Sequence, residues 1–82
     1  MAIKVYTTPT CKWCNLLKEY LDSKNIDYED INVAMDRFSA LDMIRRSGQS
    51  AVPVIEINGN IVVGFDKEKV DELLVEQLIL RQ

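Results

Sequence analysis

Residues Ile3-Lys4-Val5-Tyr6-Thr7 alternate between apolar and polar positions and are rich in β-forming side chains, which predicts a first strand. Thr8-Pro9-Thr10 breaks that pattern. Beyond it Trp13, Leu16, Leu17, Tyr20 and Leu21 recur at helical spacing, with Asn15, Lys18, Glu19 and Asp22 on the other face. This predicts an amphipathic helix ending near Lys24-Asn25. The short alternating stretch from Asp27 to Asn32 reads as a second strand. A second helix is expected from about Asp36 to Ser47, with Phe38, Leu41 and Ile44 lining one face. Asp36 suits its start, Arg45-Arg46 fall in its last turn, and Gly48 is a natural left-handed cap. After Pro53, Val54–Ile57 reads as a strand, Asn58-Gly59-Asn60 as a tight turn and Ile61-Val62-Val63 as the returning partner. Asp66 then caps a last helix whose inward stripe is Val70, Leu73, Leu74, Gln77 and Leu78.

The order is therefore β-α-β-α-β-β-α. The first two strands, joined by a helix, should run parallel, and the last two should form a hairpin. The fold class that follows is α/β, a four-stranded mixed sheet flanked by helices. With 82 residues and no repeat or Pro/Gly-rich linker, the expectation is one domain spanning 1–82. At 48% hydrophobic the chain has the material for a core, but a domain this small buries only about 60–65% of its unfolded surface.

Charge and composition narrow the chemistry. Ten basic against thirteen acidic residues give a net charge of −3, and the only local basic pair is Arg45-Arg46, so no nucleic-acid partner is expected. No apolar run approaches the roughly 20 residues that cross a bilayer, and Met1-Ala2-Ile3-Lys4 lacks a signal-peptide core. The expected compartment is the cytoplasm, with no membrane association. The chain contains no histidine, which removes Ser-His-Asp triads, Cys-His pairs and imidazole metal sites. Its two cysteines allow at most one bridge, too few for a disulfide-stapled scaffold.

Those cysteines form Cys11-Lys12-Trp13-Cys14 at the junction of the first strand and first helix. A helix N-terminus presents unpaired N–H groups and about half a positive charge, which favours a thiolate. Cys11, at the cap, is thus the expected exposed nucleophile, its pKa lowered from the ordinary value of about 8.5. Cys14, one turn in, is placed to close a disulfide as the resolving thiol. A role as small core residues suits Cys11 poorly, flanked as it is by Thr10 and Lys12. Pro53 is the second feature. A proline opening a strand is ordinary, but a cis bond after Val52 would turn that residue's N–H and C=O toward the redox loop, free to pair with an extended substrate.

Taken together, these segments resemble the glutaredoxins. Val5-Tyr6-Thr7-Thr8-Pro9-Thr10-Cys11-Lys12-Trp13-Cys14 looks like their active-site segment, and Ser47-Gly48-Gln49-Ser50-Ala51-Val52-Pro53 like the approach to their cis-proline. Val63-Gly64-Phe65-Asp66 stands where they carry a Gly-Gly…Asp element before the last helix. The resemblance is closest to small bacterial glutaredoxin-like proteins. It implies a thioredoxin-like fold and a thiol–disulfide oxidoreductase in which Cys11 attacks a protein disulfide or a glutathione mixed disulfide. Cys14 or a second glutathione then releases the product. It further implies glutathione as co-substrate with no tightly bound cofactor, disulfide-containing proteins as partners, and a monomer. Carried over residue by residue, Val52 and Pro53 would hold the glutathione cysteine backbone, and Gly64, Phe65 and Asp66 the γ-glutamyl group. Trp13 would provide an aromatic wall beside the nucleophile, or merely surface cover. Asp66 serves equally as a helix cap, and Phe65 as a packing aromatic.

Three departures bear on glutathione. Lys12 replaces the proline usual between the thiols, Thr8 stands where many members have a lysine, and Val63-Gly64 replaces a Gly-Gly pair. Arg37, early in the second helix, or Lys12 would substitute for the missing lysine, although each reads more simply as a solvated face residue. The Val-Gly-Phe form resembles donors to ribonucleotide reductase that draw electrons from thioredoxin reductase. A soft-metal site is the rival from another class, but copper chaperones follow a different strand order and carry a methionine where this chain has Pro9. Cluster-bridging members have a small residue where Lys12 stands.

Overall fold

The computed structural model describes residues 2–80, with side chains through Glu76. In chain order the elements are β1 (Ile3–Thr7), α1 (Lys12–Ser23), β2 (Glu29–Asn32), α2 (Arg37–Ser47), β3 (Val54–Ile57), β4 (Asn60–Val63) and α3 (Lys67–Leu80). The strands form one mixed sheet in the order β2-β1-β3-β4. β1 pairs parallel with β2 and antiparallel with β3, and β3 pairs antiparallel with β4. This is the expected topology. β2 starts at Glu29 and not at Asp27, its ladder with β1 beginning at Lys4↔Glu29. The β3–β4 turn is the two-residue Asn58-Gly59, both at positive φ (50° and 93°), so Asn60 already belongs to β4.

The two faces of the sheet are covered unequally. On one, Ile3 and Val5 of β1, Ile55 and Ile57 of β3 and Val62 of β4 pack against Leu17 and Leu21 of α1 and Val70, Leu73 and Leu74 of α3. On the other the buried cluster among the described residues is Tyr6, Val54 and Met43, the last being the one buried residue of α2, with Ile31, Val33, Val52 and Ile61 partly buried against it. The expected continuation of the α3 stripe to Gln77 and Leu78, and the following Ile79 and Leu80, lie outside the described side chains.

The apolar face expected for α2 does not face the sheet. Phe38, Leu41 and Ile44 are exposed, and Met43 alone enters the core. Glu56 supplies the physical reason. Its side chain sits on the thin face of β3, buried to 7% exposure, and a buried carboxylate must be paired. Arg46 reaches it and is itself held by Asp42 Oδ2 at 3.2 Å, while Tyr6 Oη donates to the same Asp42 oxygen at 3.4 Å. Met43 turned inward puts Leu41 on the opposite, solvent side, and Phe38 and Ile44, three residues to either side of Leu41, flank it there. Likewise Trp13, counted in the apolar recurrence of α1, is 60% exposed, and the buried residues of α1 are Cys14, Leu17 and Leu21.

Candidate active site

Thr7 ends β1, and Thr8-Pro9-Thr10 carries the chain from the sheet edge to α1. Cys11 is the N-cap of that helix, in extended conformation (φ −89°, ψ 112°). Its Sγ accepts a hydrogen bond from the Cys14 N–H at 3.1 Å, taking the place of the oxygen of an ordinary capping side chain. Cys11 is half-buried, whereas Cys14 is fully buried. The two are joined as a disulfide with Cα atoms 5.2 Å apart. Cys11 therefore stands half-buried at the helix terminus, with Cys14 fully buried one turn behind it.

Two further segments leave the sheet at this same edge. Val54 pairs with Tyr6 on one side and Val63 on the other, so Pro53, just before Val54, and Gly64, just after Val63, both lie near the end of β1. The Val52-Pro53 peptide is cis. Neither the N–H nor the C=O of Val52 is hydrogen-bonded to any described residue. Gly64 donates its N–H to the Pro53 C=O at 2.8 Å and does so at φ 77°, a left-handed conformation that side chains with a Cβ resist. Val52, Pro53 and Gly64 are thus brought together.

Other expected site residues are more committed to the protein itself. Phe65 packs onto the main core, its ring 5.6 Å from that of Tyr20. Asp66 caps α3, its Oδ1 accepting the Lys69 N–H at 3.2 Å. Trp13 lies on the solvent side of the first turn of α1. Lys12 and Arg37 are exposed and make no ion pair among the described residues.

A small polar cluster beside the redox loop was not singled out from sequence. Asp30 of β2 accepts the Thr7 hydroxyl at 2.7 Å on Oδ1 and the Lys18 ammonium at 3.0 Å on Oδ2. Burial pushes the Asp30 carboxyl up, but these two donors and the Lys18 charge outweigh it and hold the group below its ordinary value. The signal available in the sequence was Thr7, a hydroxyl closing a strand whose other alternate positions are apolar. Among the described residues no group of three or more His, Cys, Asp or Glu side chains is placed to hold a metal ion, and no helix is long and apolar enough to cross a membrane.

A mixed sheet with this strand order, and a dithiol at the first strand–helix junction, define a thioredoxin-fold redox protein. The glutaredoxin family model matches residues 3–62, and the chain belongs to the glutaredoxin family. The match stops short of the Gly64–Asp66 segment. An uncharacterized glutaredoxin-like 8.6 kDa protein in the rubredoxin operon of Clostridium pasteurianum is 57% identical over 72 residues, covering 88% of this chain and 96% of that one. Glutaredoxin 3 of Escherichia coli strain K12 is 31% identical over 64 residues, 78% of this chain and 77% of that one. Among solved structures, the glutaredoxin-like NrdH-redoxin of Escherichia coli, described as having a thioredoxin-like activity profile, superposes with a TM-score of 0.80 at 27% identity. It covers 89% of this chain, which spans 95% of it. The chain is a glutaredoxin-family thiol oxidoreductase by fold and dithiol.

Proposed function

We propose that the protein reduces disulfides by a dithiol cycle in which Cys11 is the nucleophile and Cys14 the resolving thiol. The Cys11 thiolate attacks one sulfur of the substrate disulfide, forming a Cys11 mixed disulfide and expelling the first substrate thiol. The Cys14 thiolate then attacks Cys11 Sγ, expelling the second substrate thiol and leaving the Cys11–Cys14 disulfide. Two electrons have passed to the substrate, and an external thiol or dithiol must return them. The hydrogen bond from the Cys14 N–H to Cys11 Sγ carries this reading, because a backbone donor at a helix terminus favours the anionic sulfur, with no histidine required.

Glutathione is the co-substrate we propose, acting on a cytoplasmic monomer. The unpaired Val52 backbone, next to Pro53, suits the cysteinyl residue of an extended tripeptide. The segment leading into α3 suits the γ-glutamyl end, with Phe65 and Asp66 supplying backbone N–H groups, Asp66 one carboxylate, and Gly64 the left-handed turn that presents them. Trp13 would flank the peptide. A second reading, reduction by thioredoxin reductase, is favoured by two observations. Thr8 brings no cation to the redox loop, and Val63 is 48% exposed beside Gly64.

Coupled assays decide between them. With glutathione and glutathione reductase as sole electron source, turnover of a glutathione mixed disulfide is expected, and Cys11→Ser should abolish it. Turnover with thioredoxin reductase alone would transfer the role to the second reading. Undiminished turnover by Cys11→Ser with either source would remove the dithiol cycle altogether.

A further inference from the structure

An apolar strip lies on α2, outside the redox loop. Phe38, Leu41 and Ile44 follow at three-residue steps and are all exposed, Phe38 at 83%; Met35, in the turn leading into the helix, is exposed to the same 83%. Single exposed apolar residues are normal on any protein, but a continuous strip of four on so small a chain marks a contact surface. Folding does not explain it, since α2 is fixed to the sheet by Met43, by the Arg46–Glu56 pair and by the Tyr6–Asp42 hydrogen bond.

The charges bordering the strip indicate what covers it. The chain as a whole is acidic, yet α2 carries Arg37, Arg45 and Arg46. Its acidic groups are already engaged. Asp36 caps the helix through the N–H groups of Phe38 and Ser39 and the Ser39 hydroxyl, and Asp42 holds Arg46 and Tyr6. Arg37 and Arg45 are exposed and have no ion pair among the described residues. They stand four positions before and after Leu41, so both border the strip. Arg45 also lines an open groove of about 400 Å³ with Phe38, Ser39, Leu41 and Asp42, whose carboxylate is already held by Arg46 and Tyr6. Apolar side chains between two unpaired guanidinium groups complement an acidic segment that carries apolar residues. A second copy, packed face to face, would bring the same arginines together.

The strip begins at the edge of the sheet that carries the dithiol. Val33, which precedes the turn into α2, donates its N–H to the C=O of Thr7 at 2.9 Å, and Thr7 is the residue from which the chain leaves for Cys11. A polypeptide lying along α2 therefore arrives at the redox loop.

We propose that the α2 strip docks protein substrates through an acidic, apolar segment flanking their disulfide, holding them while that disulfide reaches Cys11; this rests on the exchange chemistry proposed above. The test uses pre-reduced protein and two cysteine peptides, each carrying a mixed disulfide with thionitrobenzoate. Both peptides have leucines at helical spacing, one with glutamates between them and the other with lysines. In single-turnover release of thionitrobenzoate, the acidic peptide is expected to react about tenfold faster at low salt and to lose that advantage as salt rises. Phe38→Ser/Leu41→Ser and Arg45→Glu should each slow the acidic peptide by a similar factor. Both variants should still reduce the small uncharged disulfide of 2-mercaptoethanol at the unaltered rate. Equal rates for the two peptides, or an undiminished preference in both variants, would overturn the proposal. So would a dimer in sedimentation that Phe38→Ser dissolves, since the second copy would then be the occupant. Failure of the unaltered protein on the small disulfide would instead count against the exchange chemistry.

Discussion

A single sulfur performs two tasks at Cys11. It closes the first turn of α1 by accepting the Cys14 N–H, and it is the more accessible member of the pair. The hydroxyl of a serine would keep the cap while removing the nucleophile, which makes Cys11→Ser a test of chemistry rather than of folding. Asp30 acts differently. It ties Lys18 of α1 and Thr7 of β1 to the edge strand β2, and its carboxyl is held below its ordinary value despite burial, by hydrogen bonds from Thr7 and Lys18 and the Lys18 charge. A carboxyl with a depressed folded pKa stabilises the fold fully above its unfolded value, about 3.9, and loses that contribution as pH falls through the folded value. The urea midpoint should therefore hold from neutral pH down to about pH 5 and decline below about pH 4. Asp30→Asn should start lower at neutral pH and show a shallower acid decline. An identical acid profile in the variant would show that Asp30 does not contribute to it.

Most of the elements were legible in the sequence because local chemistry and tertiary packing agree on them. The alternation of β1, the cap at Asp36, the Asn58-Gly59 turn and the stop at Gly48 all rest on short-range preferences that the fold leaves unopposed. α2 is where that agreement fails. Its apolar spacing puts Phe38, Leu41 and Ile44 together, but spacing records only which residues share a face, not which face meets the sheet. A buried carboxylate from a different element, Glu56, decided the orientation, and no local pattern announces a pairing ten residues away in sequence. The Thr7–Asp30–Lys18 cluster escaped notice for the same reason, since its members belong to three elements. The corrected orientation has a direct consequence for stability. Met43→Ala should cost about 2–4 kcal/mol, as for a fully buried methionine, whereas Phe38→Ala should stay within about 0.5 kcal/mol. Urea unfolding of the two variants measures both, and a larger loss for Phe38→Ala would place the core face of α2 where the spacing first suggested.

The molecule brings three separate stretches of chain to one edge of a four-stranded sheet: the start of α1, the Val52-Pro53 segment and the Gly64–Asp66 turn. The dithiol itself was fully readable from sequence, because two cysteines at a predicted strand–helix junction carry their own chemistry. The convergence of the other two was readable only through family resemblance, since what joins them is register: Val54 between Tyr6 and Val63, and the Gly64 N–H on the Pro53 C=O. This architecture makes the two sulfurs unequal, one at the rim and one behind it, and the proposed cycle depends on that inequality. Trapping tests it most directly. Reduced Cys14→Ser and Cys11→Ser proteins are each mixed with a glutathione mixed-disulfide peptide, quenched by acid and weighed intact. Cys14→Ser should accumulate one disulfide-linked adduct, mapped to Cys11, while Cys11→Ser should remain unmodified over the same interval. Equal or faster adduct formation at Cys14 in the Cys11→Ser protein would contradict the assignment of nucleophile and resolving thiol.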